Sequence, residues 1–172
     1  AATNRLFEAK GRPRELELPV LVPSVESARE IAAFDERAEV LAARFWGGPL
    51  TIVLPRTAAS RDWELGGDPE TIGVRLPKHP IALELLMLTG PMAVTSANRS
   101  GEPTPGTGAE IERLFGDAVS VYFGRGESLT QLPSTVVDLA HGIPVILRAG
   151  VIGEREVIDA LERVPPPTPR DR

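Results

Sequence analysis

Seven short apolar runs, each bounded by glycine, proline or a polar turn, punctuate this chain at residues 18–22, 50–54, 71–76, 91–95, 119–123, 134–139 and 143–148. Runs of that length are strand-sized, and the longer segments between several of them carry helical spacing, so the pattern points to an α/β fold. A first helix is expected over residues 4–10, with Leu6 and Phe7 apolar, Gly11 at its cap and Pro13 just beyond. A long helical region follows over residues 24–46. Ser24 is its N-cap, Ile31, Phe34, Leu41 and Phe45 form its apolar face, and Gly47-Gly48-Pro49 ends it. Helices are also expected over residues 80–89, closed by Gly90, residues 108–115, closed by Gly116, and residues 154–164. The run at 91–95 reads as a buried strand. A glycine-bearing loop leads into 134–139, and His141-Gly142 turns that run back into 143–148 as an antiparallel hairpin.

Composition narrows the function classes. With 172 residues, 42% of them hydrophobic, the chain can bury one ordinary core, and its length predicts one globular unit. No stretch approaches the roughly 20 apolar residues of a membrane span, and no secretory leader is visible, so no membrane association and a cytoplasmic location are expected. Zero cysteines exclude disulfides and thiolate metal sites, and two isolated histidines, His79 and His141, do not make a zinc site. His79 reads as a solvent-facing residue ahead of a helix, His141 as a turn residue, and Trp46 and Trp63 as packing residues. A net charge of −5 argues against nucleic-acid binding through bulk charge and leaves room for a local basic cleft.

Two polar runs, Lys10-Gly11-Arg12-Pro13 and residues 95–101, fall where elements end and donors are free. Together they read as two walls of an anion site, since ligands of open α/β sheets bind at strand ends. Lys10 and Arg12 lie one residue apart at a stiff chain exit, where a point charge and a planar fork can reach one polyphosphate. The same pair also reads as an ordinary cationic helix terminus favoured by the dipole. Ser96 and Asn98 stand at a strand exit, where they serve equally as turn formers. Thr71 and Arg75, four residues apart on a strand, point to one sheet face. Arg75 sits on an otherwise apolar strand and needs an anionic partner, either a ligand or a structural acid. Arg148 ends a strand beside Ala149-Gly150 and adds a third guanidinium.

Lys10-Gly11-Arg12-Pro13, Gly48-Pro49-Leu50-Thr51, Val74-Arg75-Leu76-Pro77, the run from Ser96 to Gly101, Ser134-Thr135-Val136-Val137-Asp138 and Leu147-Arg148-Ala149-Gly150 occur in one order over nearly the whole chain. In these motifs the sequence resembles the YrdC-like threonylcarbamoyl-AMP synthases. The resemblance implies a twisted mixed sheet, parallel and antiparallel, with helices flanking a large concave cleft. It implies an enzyme that joins L-threonine, bicarbonate and ATP into threonylcarbamoyl-adenylate and pyrophosphate, for threonylcarbamoyladenosine modification of tRNA. By the same resemblance, Lys10 and Arg12 are catalytic, Arg12, Thr71, Asn98 and Arg148 face ATP, and Arg75, Ser96 and Ser134 face L-threonine. Mg²⁺ is expected through the ATP phosphates with no protein metal site, because no carboxylate cluster is evident. A downstream threonylcarbamoyl transferase complex is the implied partner, with weak tRNA or double-stranded RNA binding in addition.

The chain departs from the family pattern at its start, where members carry a strand with a Pro-Thr-Asp-Thr-like run followed by Tyr-Gly-Leu. Residues 1–8 hold nothing similar, so the first helix is expected to follow a strand that this chain lacks. Leu16 and Leu21 stand where many relatives have Asn and His. A catalytic domain over residues 1–164 and a Pro-rich tail or linker start over 165–172 are expected. Two other functions stay open: a carbamoyl-transfer domain of a larger maturation enzyme, and an RNA-binding module of the same fold.

Overall fold

A computed structural model describes residues 2–123, 133–162 and 164. Its elements run α1 (Ala2–Lys10), β1 (Val20–Leu21), α2 (Val25–Ile31), α3 (Glu36–Phe45), β2 (Leu50–Pro55), β3 (Thr71–Arg75), α4 (Pro80–Thr89), β4 (Met92–Ala93), α5 (Gly108–Phe115), β5 (Thr135–Asp138), β6 (Val145–Arg148) and α6 (Glu154–Leu161). The glycine-bearing loop expected before residue 134 and the tail over 165–172 lie outside the described residues.

The strands form one mixed sheet in the order β4-β1-β3-β2-β5-β6. β1 is parallel to β3 and β2 to β5, while β1 with β4, β2 with β3 and β5 with β6 are antiparallel. Alternation along the strands divides the two faces. Val20, Leu50, Ile52, Leu54, Ile72, Val74 and Val137 join Ala28 and Ile31 of α2, Leu41 and Ala42 of α3, and Val157 and Ala160 of α6 in one core. Each large aliphatic side chain fully withdrawn from water there contributes roughly 1.5–3 kcal/mol. The opposite face therefore carries Thr51, Val53, Thr71, Gly73, Arg75 and Asp138. Gly73 keeps that face shallow: a Cβ there would stand 3.4 Å from Thr51 Cγ2 and 3.8 Å from the Cβ of Pro19.

Three local expectations are corrected. The helix expected over 24–46 is two helices. Ser24 caps α2 as read, but Asp35 caps α3 by accepting from the Ala38 amide. Between them Ala32 turns extended and bridges Arg56, and the Ala33 amide donates to Pro55 O, so the sheet captures the chain there. Residues 119–123 form no strand. Val121 and Phe123 are 61% and 72% exposed, and no described strand pairs with them. The run at 91–95 is a two-residue edge strand, half-buried, with β1 its one pairing neighbour among the described residues.

Candidate anion-binding site

α1 ends at Lys10 because Gly11 adopts φ +59°, a left-handed turn that glycine enters without strain. Lys10 is only 3% exposed. Its Nζ donates to Ser96 O at 2.6 Å, to Asn98 Oδ1 at 3.3 Å and to Asn98 O, and its own carbonyl accepts from the Ser100 amide at 3.0 Å. The two polar runs are thus joined, and Lys10 is the clasp. Burial first, and then Arg12, bring the Lys10 ammonium down to about 8. The buried Asn98 amide donates to the carbonyls of Arg99 and Glu102, which curls the loop around it, while the Ser96 side chain stays exposed.

Three arginines converge beside this clasp, each tethered by main-chain carbonyls. Arg12 donates from Nε to Leu16 O and from Nη2 to Glu17 O, at 3.0 and 2.9 Å. Arg75, at the end of β3, donates from Nε to Gly48 O at 3.0 Å. Arg148, at the end of β6, donates from Nε to Ser134 O at 3.0 Å and from Nη2 to Ser134 Oγ at 2.8 Å. Ser134 is buried and its Oγ lies 3.2 Å from Thr51 Oγ1. All three guanidinium groups are pushed below their ordinary pKa by burial, and Arg12 and Arg75 further by the charge of Arg148. Among the described residues none of the three forms a salt bridge, whereas Arg29, Arg37 and Arg155 each pair with an acid. Cations that lower one another's proton affinity and form no salt bridge among the described residues make a cleft complementary to a polyanion.

Not every expected residue joins this group. Thr71 is buried at the far end of β3, about 13 Å along the strand from Arg75, and its carbonyl accepts from Arg56 Nε at 2.6 Å. His141 sits in the hairpin turn, with Nδ1 2.7 Å from Asp138 Oδ2 and Nε2 3.5 Å from Asp68 Oδ2. Two residues were not singled out from the sequence. Thr51 was legible only as part of a motif. Glu17 alternates with the core residues Leu18, Val20 and Val22, which was the signal that it shares the face of Arg75.

A family model described as Telomere recombination, for Sua5, YciO and YrdC, matches residues 1–150. A Mycobacterium tuberculosis (strain CDC 1551 / Oshkosh) protein is 38% identical over 162 residues, which are 94% of this chain and 74% of that relative. The threonylcarbamoyl-AMP synthase of Pyrococcus abyssi (strain GE5 / Orsay) is 40% identical over 158 residues, 91% of this chain and 46% of that protein. The crystal structure of P. abyssi Sua5 complexed with L-threonine superposes with a TM-score of 0.82 at 36% identity, over 94% of this chain and 48% of that one. The chain thus spans most of the mycobacterial relative and under half the length of the Pyrococcus proteins.

Proposed function

The chain belongs to the Sua5/YciO/YrdC family, and from that premise we propose that it is a threonylcarbamoyl-AMP synthase acting on ATP, L-threonine and bicarbonate. The amine of threonine attacks the carbon of bicarbonate, a C–O bond breaks and water leaves, giving a carbamate whose oxygen attacks the α-phosphorus. The bond from that phosphorus to the β-phosphate oxygen breaks, and pyrophosphate leaves with the electron pair. Little covalent chemistry is asked of the protein in such a step. Its work is to align anions and stabilise the leaving charge.

The observation that carries this reading is the gathering of Arg12, Arg75 and Arg148, with Lys10 behind them, without an acid partner among the described residues. Arg12 and Arg148 take the phosphates, with Thr71 and Asn98 on the nucleotide side. Arg75 takes the threonine carboxylate, with Ser96 and Ser134 completing that pocket. Lys10 fixes the loop bearing Ser96 and Asn98 against α1, so its catalytic part is exerted where that loop meets the phosphates. Mg²⁺ would enter as an ion carried on the triphosphate, held by phosphate oxygens and water. The product is a mixed anhydride, suited to a downstream transferase that acylates an amine of tRNA.

Pyrophosphate release tests the proposal. Release that requires ATP, L-threonine and bicarbonate together is the expected result, and equal release without threonine overturns it. Turnover in which carbamoyl phosphate replaces threonine and bicarbonate would instead assign the carbamoyl-transfer reaction.

A further inference from the structure

The face that carries Arg75 has an acidic end as well as a basic one. Glu17 precedes β1, and its side chain stands in for a strand neighbour: Oε1 accepts from the Gly73 amide at 3.1 Å. Its main-chain carbonyl holds Arg12 Nη2. One residue therefore touches both the tether of a phosphate-facing arginine and the strand that bears Thr71 and Arg75. Its second carboxylate oxygen makes no hydrogen bond among the described residues, and Glu17 forms no salt bridge among them. The charged groups around it are Arg56, whose Nε donates to Thr71 O and Nη1 to the carbonyls of Ser60 and Trp63, and Asp68 and Asp138, which are linked through His141. An oxygen so placed repels phosphate and attracts a hydrogen-bond donor.

We propose that Glu17 reads the ribose of the nucleotide, its free carboxylate oxygen accepting a hydrogen bond from the 2′,3′-diol. This rests on the ATP-dependent reading above. In a nucleoside triphosphate the ribose is the first group beyond the α-phosphate, and Arg12 is tethered to the carbonyl of the same residue that offers the carboxylate. The adenine lies a full sugar further on. The neighbouring acids make the polarity unambiguous: phosphates lie toward Arg12 and Arg148, and the neutral sugar toward Glu17. Burial, reinforced by Asp68 and Asp138 and only partly offset by the Gly73 amide and Arg56, holds the Glu17 carboxyl up at about 7. A hydroxyl donor favours the ionised form, so nucleotide binding near neutral pH draws a proton off Glu17.

The test is calorimetric binding of ATP, 2′-deoxy-ATP, 3′-deoxy-ATP and inosine triphosphate to the wild type, Glu17→Gln and Glu17→Ala, with thermal melting as the check on folding. Gln keeps an acceptor for the Gly73 amide but removes the charge. The wild type should bind at least one deoxy analogue about tenfold more weakly than ATP, the scale of a hydrogen bond to a charged group. That ratio should fall below about twofold in both variants, and the Gln variant should release fewer protons on binding ATP, read from the buffer dependence of the enthalpy. A deoxy penalty that survives in both variants overturns the proposal. So does discrimination confined to inosine triphosphate, which would place the base at Glu17. Pyrophosphate release independent of threonine, with the ribose ratio still collapsing, would refute the synthase reading and leave this inference standing.

Discussion

At the scale of single residues, the recurring device is a charged side chain fixed by groups that cannot titrate. Arg12→Ala and Arg148→Ala should each weaken ATP binding by about 1.5–3 kcal/mol in titration calorimetry. Arg75→Ala should instead raise the threonine requirement and leave ATP affinity nearly unchanged, because its guanidinium lies on the amino-acid side of the proposed cleft. Lys10→Arg should impair turnover: the ammonium is enclosed by Ser96 O, Asn98 O and Asn98 Oδ1, a space too compact for a planar fork. Glu17 supplies a pH signature. Its folded pKa of about 7 lies above the ordinary carboxyl value, so its charge opposes folding above pH 7 and ceases to do so as pH falls toward 4.5. Glu17→Gln should therefore be more stable than the wild type at pH 8, by up to about 3 kcal/mol, with the difference gone near pH 4.5 in urea unfolding. A constant difference across that range would show that the carboxyl is not desolvated. The cations of the site were legible as residue types in the sequence. Their tethers were not, because a main-chain carbonyl leaves no mark on composition or spacing.

At the scale of elements, caps and turns carried most of the legible information. Gly11, Ser24, Pro80, Gly90 and Gly116 mark ends that the structure places within a residue or two. The misreadings have tertiary causes. Residues 24–46 show helical spacing throughout, but the chain at Ala32–Ala33 finds acceptors and donors on Arg56 and Pro55 and leaves the helix to use them. Residues 119–123 have the apolar character of a strand and, among the described residues, no neighbour to pair with, which sequence cannot reveal. Asp35 is the hinge of the first case: it caps α3 and pairs with the buried Arg37, whose remaining donors reach Leu139 O and Gly142 O in the β5–β6 turn. Asp35→Ala should remove a cap worth about 1 kcal/mol and leave a buried guanidinium without its acid, for a total loss of about 3–5 kcal/mol by urea unfolding. Gly150→Ala should also be costly. A Cβ there would lie 2.4 Å from the Thr135 amide and 2.5 Å from Pro133 O, so Ser134 would have to move and Arg148 with it.

At the scale of the whole molecule, an acidic protein brings three arginines and a buried lysine from distant parts of the chain into one cleft, and the sheet order explains how. β6 brings Arg148 beside Ser134, β3 brings Arg75 beside Gly48, and α1 delivers Lys10 and Arg12 to the same place from far away in sequence. Strand identity was readable from short apolar runs, but the order β4-β1-β3-β2-β5-β6 was not, since pairing across the sheet is a long-range choice among similar runs. ATP at a hundredfold excess over its dissociation constant should stabilise the fold by about 2.7 kcal/mol and raise the melting temperature by about 5–10 °C. Adenosine should do less, and added salt should shrink the ATP effect selectively. Equal shifts for both ligands in low and high salt would mean that the arginines do not meet the phosphates. The carbonyl tethers of Arg12, Arg75 and Arg148 bear finally on how such a site tolerates drift. Any amino acid at positions 16 or 17 still supplies the carbonyl that holds Arg12, so mutation can rewrite those two side chains, and with them the choice of ligand, while that guanidinium keeps its aim; Gly48, where a Cβ would lie 2.6 Å from Phe45 O, and Ser134, whose Oγ accepts from Arg148, have no such freedom.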